Sequence, residues 1–154
     1  MDSYAAWDAD WLVSLPLIVL TVVTHVLGLG LINERIVGRV SNKVNPRHLT
    51  ALFVAVMAAA ALMVTVLLAF QGVLWAAAYR VVGALPDNRS AMLYSLSAIT
   101  GYGHAQVFLD PHWQMMGALE ALNGIMLFGL TLAFLLTIIQ QIWPLGSRLH
   151  GGRD

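Results

Sequence analysis

The residues best equipped for chemistry lie at 95–104, Ser-Leu-Ser-Ala-Ile-Thr-Gly-Tyr-Gly-His, a short polar run between two long apolar blocks. Two glycines flanking a tyrosine let backbone carbonyls turn toward a shared axis, because glycine enters dihedrals closed to other residues. Rings of such carbonyls can replace the water shell of a cation and pass it through a membrane. Ile99, Thr100, Gly101, Tyr102 and Gly103 are therefore the candidate ion filter, with Ser95, Ser97, His104 and Glu120 as its candidate supports.

Two further polar groups stand inside apolar blocks. Thr21 and His25 are four residues apart and share a helix face. An intramembrane histidine is a functional candidate by default. The ordinary reading of His25 is a packed, hydrogen-bonded side chain; the sharper one is a pH sensor. Glu120 and Asn123 are one turn apart, and a lone carboxylate in hydrocarbon is costly. The expected role of Glu120 is a hydrogen bond to Ser95, Ser97 or a neighbouring helix, braced by Asn123; direct contact with the ion is the alternative.

Other chemistries find little support. The chain has no cysteine, which excludes disulfides, haem thioether links, iron–sulfur clusters and thiolate zinc sites. Bis-histidine haem needs two facing imidazoles within the bilayer, and only His25 is well inside an apolar block, so a redox subunit or membrane scaffold is the minor alternative. No nucleophile–base pair or metal cluster stands out. The chain is not expected to be an enzyme or to carry a cofactor, and its ligand would be a permeant K+ or other monovalent cation.

Positioning such a loop requires a membrane scaffold. Of 154 residues, 59% are hydrophobic and 10% charged, far from the balance of a soluble domain. A spanning helix needs roughly 20 apolar residues, and three blocks qualify, at 11–32, 49–70 and 115–139. The N-terminus is acidic, without the basic region of a cleaved signal peptide. We expect one all-α membrane domain over 1–154, organised in five segments. These are a first helix at 11–32, a basic interfacial segment at 33–48, a second helix at 49–74, a short helix with the glycine loop at 88–104, and a third spanning helix at 113–143.

Charge sets an orientation. Arg35, Arg39, Lys43 and Arg47, together with Arg148 and Arg153, make six of the eight basic residues, and three crossings put both groups on one side. Positive-inside bias makes that side cytoplasmic. The protein is then multi-pass in the cell inner (plasma) membrane, N-terminus outside and C-terminus cytoplasmic, with the Gly-Tyr-Gly run opening outward. Arg35, Arg39, Lys43 and Arg47 recur every fourth residue beside apolar ones, the pattern of a segment lying in the interface against anionic lipid. Gln71 and Gly72 mark the outer boundary of the second helix, and Trp75 and Tyr79 suit an aromatic belt there. Pro86-Asp87-Asn88 signals a turn and N-cap. The ten residues that follow are too few to span, yet suit a re-entrant helix whose negative C-terminal end favours a cation. Pro144 and Gly146 are expected to stop the third helix.

With these pieces in order, Trp75-Ala76-Ala77-Ala78-Tyr79, Ala91-Met92-Leu93-Tyr94-Ser95, Gly101-Tyr102-Gly103 and the run from Asn123 to Leu130 resemble the small bacterial members of the potassium-channel pore family. The resemblance covers about two-thirds of the chain. It implies two helices flanking a re-entrant pore helix and filter, a homotetramer around the axis, and a gating hinge at Gly124 and Gly129. The first helix is an addition to that plan. The family filter reads Thr-Val-Gly-Tyr-Gly-Asp, so Ile99 stands in the threonine position, Thr100 in the valine position and His104 in the aspartate position. Loss of the threonine hydroxyl removes an ion ligand, which implies weaker potassium selectivity or a non-conducting relative. An unperturbed imidazole changes charge near physiological pH, so an external proton effect is expected at His104.

Overall fold

The computed structural model describes residues 2–40, 49–103 and 107–150. It is all-helical among these, with α1 over Asp2–Val40, α2 over Leu49–Val81, α3 over Asn88–Ile99 and α4 over Gln114–His150, the last preceded by a 3-10 turn at Pro111–Trp113. Among the described residues, three segments are long and apolar enough to cross a membrane: Asp8–Arg35, Thr50–Val81 and Pro111–Gln141. Many of their large side chains face outward, Leu12, Leu62 and Ile125 among them, as helices bathed in lipid require.

α1 passes through Pro16 without breaking, since one lost backbone bond does not end a helix whose neighbours form helix readily. It also runs on to Val40, so the first half of the basic segment continues α1 and is not a separate surface helix. Propagation costs less than a fresh nucleus. Arg35 is exposed on it, the side chain of Arg39 is not described, and Lys43 and Arg47 lie outside the described residues. α4 likewise continues past Pro144 and Gly146 to His150, where a stop was expected.

α3 is short and its start is well defined. The Asp87 backbone is extended (φ −144°, ψ 160°), and its carboxylate accepts from Ser90 N at 2.9 Å and Ser90 Oγ at 2.7 Å, a standard N-cap. Those bonds hold the exposed Asp87 carboxyl below the usual carboxylate range. Arg80 secures the turn before it, donating to the Leu85 carbonyl at 2.6 Å and to Asn88 Oδ1 at 2.9 Å.

Contacts along α3 give its direction. Its start sits by Arg80 near the end of α2, whereas Ser95 reaches back to the Gly72 carbonyl at 2.8 Å, so α3 is antiparallel to α2. Against α4, Tyr94 meets Gly117, Ser95 meets Glu120 and Ile99 meets Gly124, so the two run parallel. α3 thus descends between α2 and α4 from the end where α4 begins, here the upper end. Gly124 is ten residues beyond Gln114, so the α3 tip lies about 15 Å down a bundle whose hydrocarbon thickness is about 30 Å.

Trp75 and Tyr79 are completely buried, not in an interfacial belt, because α3 folds back over that face of α2. They anchor an upper core with Tyr94, Leu109 and Met116. The Tyr79 and Tyr94 rings meet edge to face at 5.3 Å, a favoured arrangement. A lower core gathers Leu29, Ile32, Val64 and Ile138. Lipid tails are as apolar as these side chains, so tight packing and polar contacts, more than hydrophobic burial, hold the helices together.

Candidate functional site

The loop begins where α3 is capped. Thr100 has helical dihedrals (φ −88°, ψ −8°), and both its N–H and its hydroxyl donate to the Leu96 carbonyl, at 3.2 and 2.6 Å. Gly101 N–H donates to the Ala98 carbonyl at 3.0 Å and Gly103 N–H to the Ser97 carbonyl at 3.4 Å. The chain therefore turns upward beside the last turn of α3. Gly101 and Gly103 have φ of +69° and +85°, a left-handed region that admits glycine without penalty, and Gly101 takes the usual left-handed position after a helix end. Tyr102 between them keeps a negative φ. The sign alternates over three residues, as successive carbonyls must if they are to face one side.

Five residues were expected in this loop and three are there. Ile99 is the last residue of α3 and is buried, and Thr100 is its cap. The reason is local: the Leu96 and Ala98 carbonyls find donors only if the helical path continues through Thr100. Ile99 is also wedged against α4, where a methyl group on Gly124 would overlap its carbonyl. Gly124, expected as a hinge, is thus a close-approach position beneath the α3 tip. Gly129 has open space where a side chain would stand.

The supports divide. Ser95 is fully buried, with its hydroxyl 2.8 Å from the Gly72 carbonyl and 2.5 Å from Glu120 Oε1. Glu120 is fully buried too and accepts from the Tyr79 hydroxyl at 2.5 Å on Oε2. α2, α3 and α4 therefore meet on one carboxyl group. Ser97 takes no part, since its hydroxyl donates to the Leu93 carbonyl at 2.8 Å. His104 lies outside the described residues. Asn123 does not brace Glu120; it turns the other way and donates to Thr21 Oγ1 at 2.8 Å.

That bond belongs to a second buried cluster on α1, α2 and α4. Gln71 Nε2 donates to His25 Nδ1 at 2.9 Å and to the Thr21 carbonyl at 3.3 Å. With Nδ1 accepting, the network assigns the ring proton to Nε2, which lies 3.0 Å from Thr131 Oγ1. Gln71 was read from sequence as a boundary marker, yet it is fully buried. Tyr79, Gln71 and Thr131 are the participants that sequence reasoning did not find. The signal available was spacing: Gln71, Trp75 and Tyr79 recur every four residues and so share one face of α2.

The fold and this arrangement define a class, an all-helical membrane protein in which a half-length helix is packed between two long apolar helices and ends in an exposed glycine turn. Compared with protein-family models, curated proteins and solved structures, the chain matches none.

Proposed function

We propose that this chain is one subunit of a potassium-channel-like cation channel, with four copies around an axis and the turn at 101–103 lining the ion path. One observation carries the reading. Gly101, Tyr102 and Gly103 are exposed on the single chain, Tyr102 at 85%, although they follow a helix tip about halfway into the bundle. Non-helical backbone at that depth is tolerated only when covered by protein or lining water, and further copies arranged around a wet axis supply both. The C-terminal end of α3 points at the same place, and its partial negative charge favours a cation there. Inner-helix movement near Gly124 and Gly129 would gate the path. In this reading the N-terminus is outside, the C-terminus is cytoplasmic, and anionic lipid meets Arg35, Arg39, Lys43 and Arg47.

The helical state of Ile99 and Thr100 favours a second reading within the same architecture, a weakly selective or non-conducting relative. Fewer carbonyl layers mean fewer ligands replacing the ion's water shell. A haem-bearing redox subunit is disfavoured because both His25 ring nitrogens already have partners.

The deciding experiment is flux into liposomes carrying the purified protein, with potassium or sodium gradients, and with chemical cross-linking to count subunits. Potassium uptake exceeding sodium uptake, from a tetramer, supports the first reading. Equal uptake supports the second, and no uptake from a monomer refutes both channel forms.

A further inference from the structure

We infer that α1 is the element that seats α4 beneath the α3 tip, with Thr21 and His25 as positioning residues for the turn at 101–103. α1 grips α4 just before Gly124, where the α3 tip rests, and again below it. Asn123, immediately before Gly124, donates to Thr21 Oγ1 at 2.8 Å. Thr131, two turns further down, meets His25 Nε2 at 3.0 Å. His25 is itself held from α2 by Gln71 at 2.9 Å. All five side chains are buried, His25, Gln71, Asn123 and Thr21 completely.

Such a grip specifies one register. Sliding α4 by a single residue turns its side chains by about 100° and lifts them about 1.5 Å. That motion would carry Asn123 and Thr131 off their α1 partners and leave polar groups unpaired in an apolar setting, which is costly. It would also bring a residue with a Cβ, Asn123 or Ile125, to the place where only Gly124 clears the Ile99 carbonyl. The register that satisfies α1 is therefore the register that admits the α3 tip. From there the link to the turn is direct, because the amides of Thr100, Gly101 and Gly103 are all held by carbonyls of the last α3 residues. Loosening α1 from α4 frees the α3 tip, and the turn frays with it.

This positioning role does not depend on the turn passing ions; its consequence for conduction rests on the channel reading. The test is amide hydrogen exchange of the full chain in lipid nanodiscs, comparing wild type with Thr131→Val, Thr21→Val and Thr131→Ser. Both valine variants keep side-chain shape and remove one hydroxyl, and the second stands in if the first does not fold. Exchange at 100–103 is expected to rise roughly threefold in each valine variant, the factor that one interhelical hydrogen bond is worth in a bilayer. Thr131→Ser restores the hydroxyl and returns exchange to the wild-type rate. Unchanged exchange at 100–103 in both valine variants overturns the inference, as does an equal rise across all peptides. A selective rise at 100–103 in a protein that passes no ions upholds the positioning role and sinks the channel reading alone.

Discussion

Two buried polar clusters join the helices of this protein, and they differ in what they hold. The Glu120 cluster ties Tyr79 of α2 and Ser95 of α3 to one carboxyl on α4, through two hydrogen bonds of 2.5 Å. The His25 cluster ties α1 to α2 and α4 through amide, imidazole and hydroxyl groups at 2.8–3.3 Å. The first fixes the half-length helix that carries the turn; the second fixes α1. Bonds to a carboxyl group are the stronger type when it is ionised, and removal of this shared acceptor strands the Tyr79 hydroxyl and leaves Ser95 only the Gly72 carbonyl. Neutral groups share their bonds more loosely. The Glu120 cluster meets the middle of α3 through Ser95, whereas the His25 cluster meets α4 at Asn123, beside the Gly124 seat of the α3 tip.

The comparison breaks most sharply at Glu120. Glu120→Ala should cost about 3 kcal/mol, since the buried Tyr79 hydroxyl loses the Glu120 acceptor, Ser95 keeps only the Gly72 carbonyl, and the truncated side chain leaves a cavity. Glu120→Gln should stay within about 1 kcal/mol, because an amide oxygen still accepts from one hydroxyl and the amide N–H can donate to the other. Denaturant unfolding in mixed micelles measures both, and equal losses for the two variants would remove the contrast between the clusters.

Gly124→Ala follows at about 2 kcal/mol, the usual scale for forcing a methyl group into a packed contact. Gly129→Ala, facing open space, should be neutral or more stable by up to about 1 kcal/mol through helix propensity. A pair of thermal melts decides it; similar shifts in the two variants would mean that the approach to Ile99 is not tight.

His25→Leu should cost less, about 1.2 kcal/mol, the sum of two average interhelical bonds. Its unfolding midpoint should fall between wild type and Glu120→Ala. A larger loss than that of Glu120→Ala would reverse the ranking of the clusters.

The smallest effect belongs to the exposed start of α3. The folded carboxyl of Asp87 sits below its ordinary value because it accepts from Ser90. Its contribution is therefore complete above the unfolded carboxylate pKa, near 4, and is lost as pH falls through the lower folded value. Circular dichroism and exchange at Ser90–Ala91 should show the first turn of α3 fraying only in acid. Asp87→Asn, which keeps an accepting oxygen, should show no such acid step.

Much of the architecture was legible in the chain. Long apolar blocks, the turn and cap at Pro86-Asp87-Asn88, and the half-length run after it are local signals, and each became a helix or a helix start. Helix ends were less legible. α1 and α4 outrun their apolar blocks because hydropathy marks what lipid tolerates, whereas hydrogen-bond propagation decides where a helix stops. The supports were legible in part. Ser95 and Glu120 were nominated for being polar in apolar surroundings, but Tyr79 and Gln71 were misread because their burial depends on which helix covers them.

The Gly-Tyr-Gly run shows the same division. Residue type alone determined that Gly101 and Gly103 could enter left-handed backbone, that the chain is built for a membrane, and that a half-length helix leads to the turn. Only the tertiary structure decided that Ile99 is buried against α4 and that Gly124 is a seat for the α3 tip. It also decided that α1 reaches α4 on both sides of that seat. Local dihedral freedom and hydropathy are properties of short stretches. Which carbonyl meets which helix depends on residues 21–131 being folded onto one another.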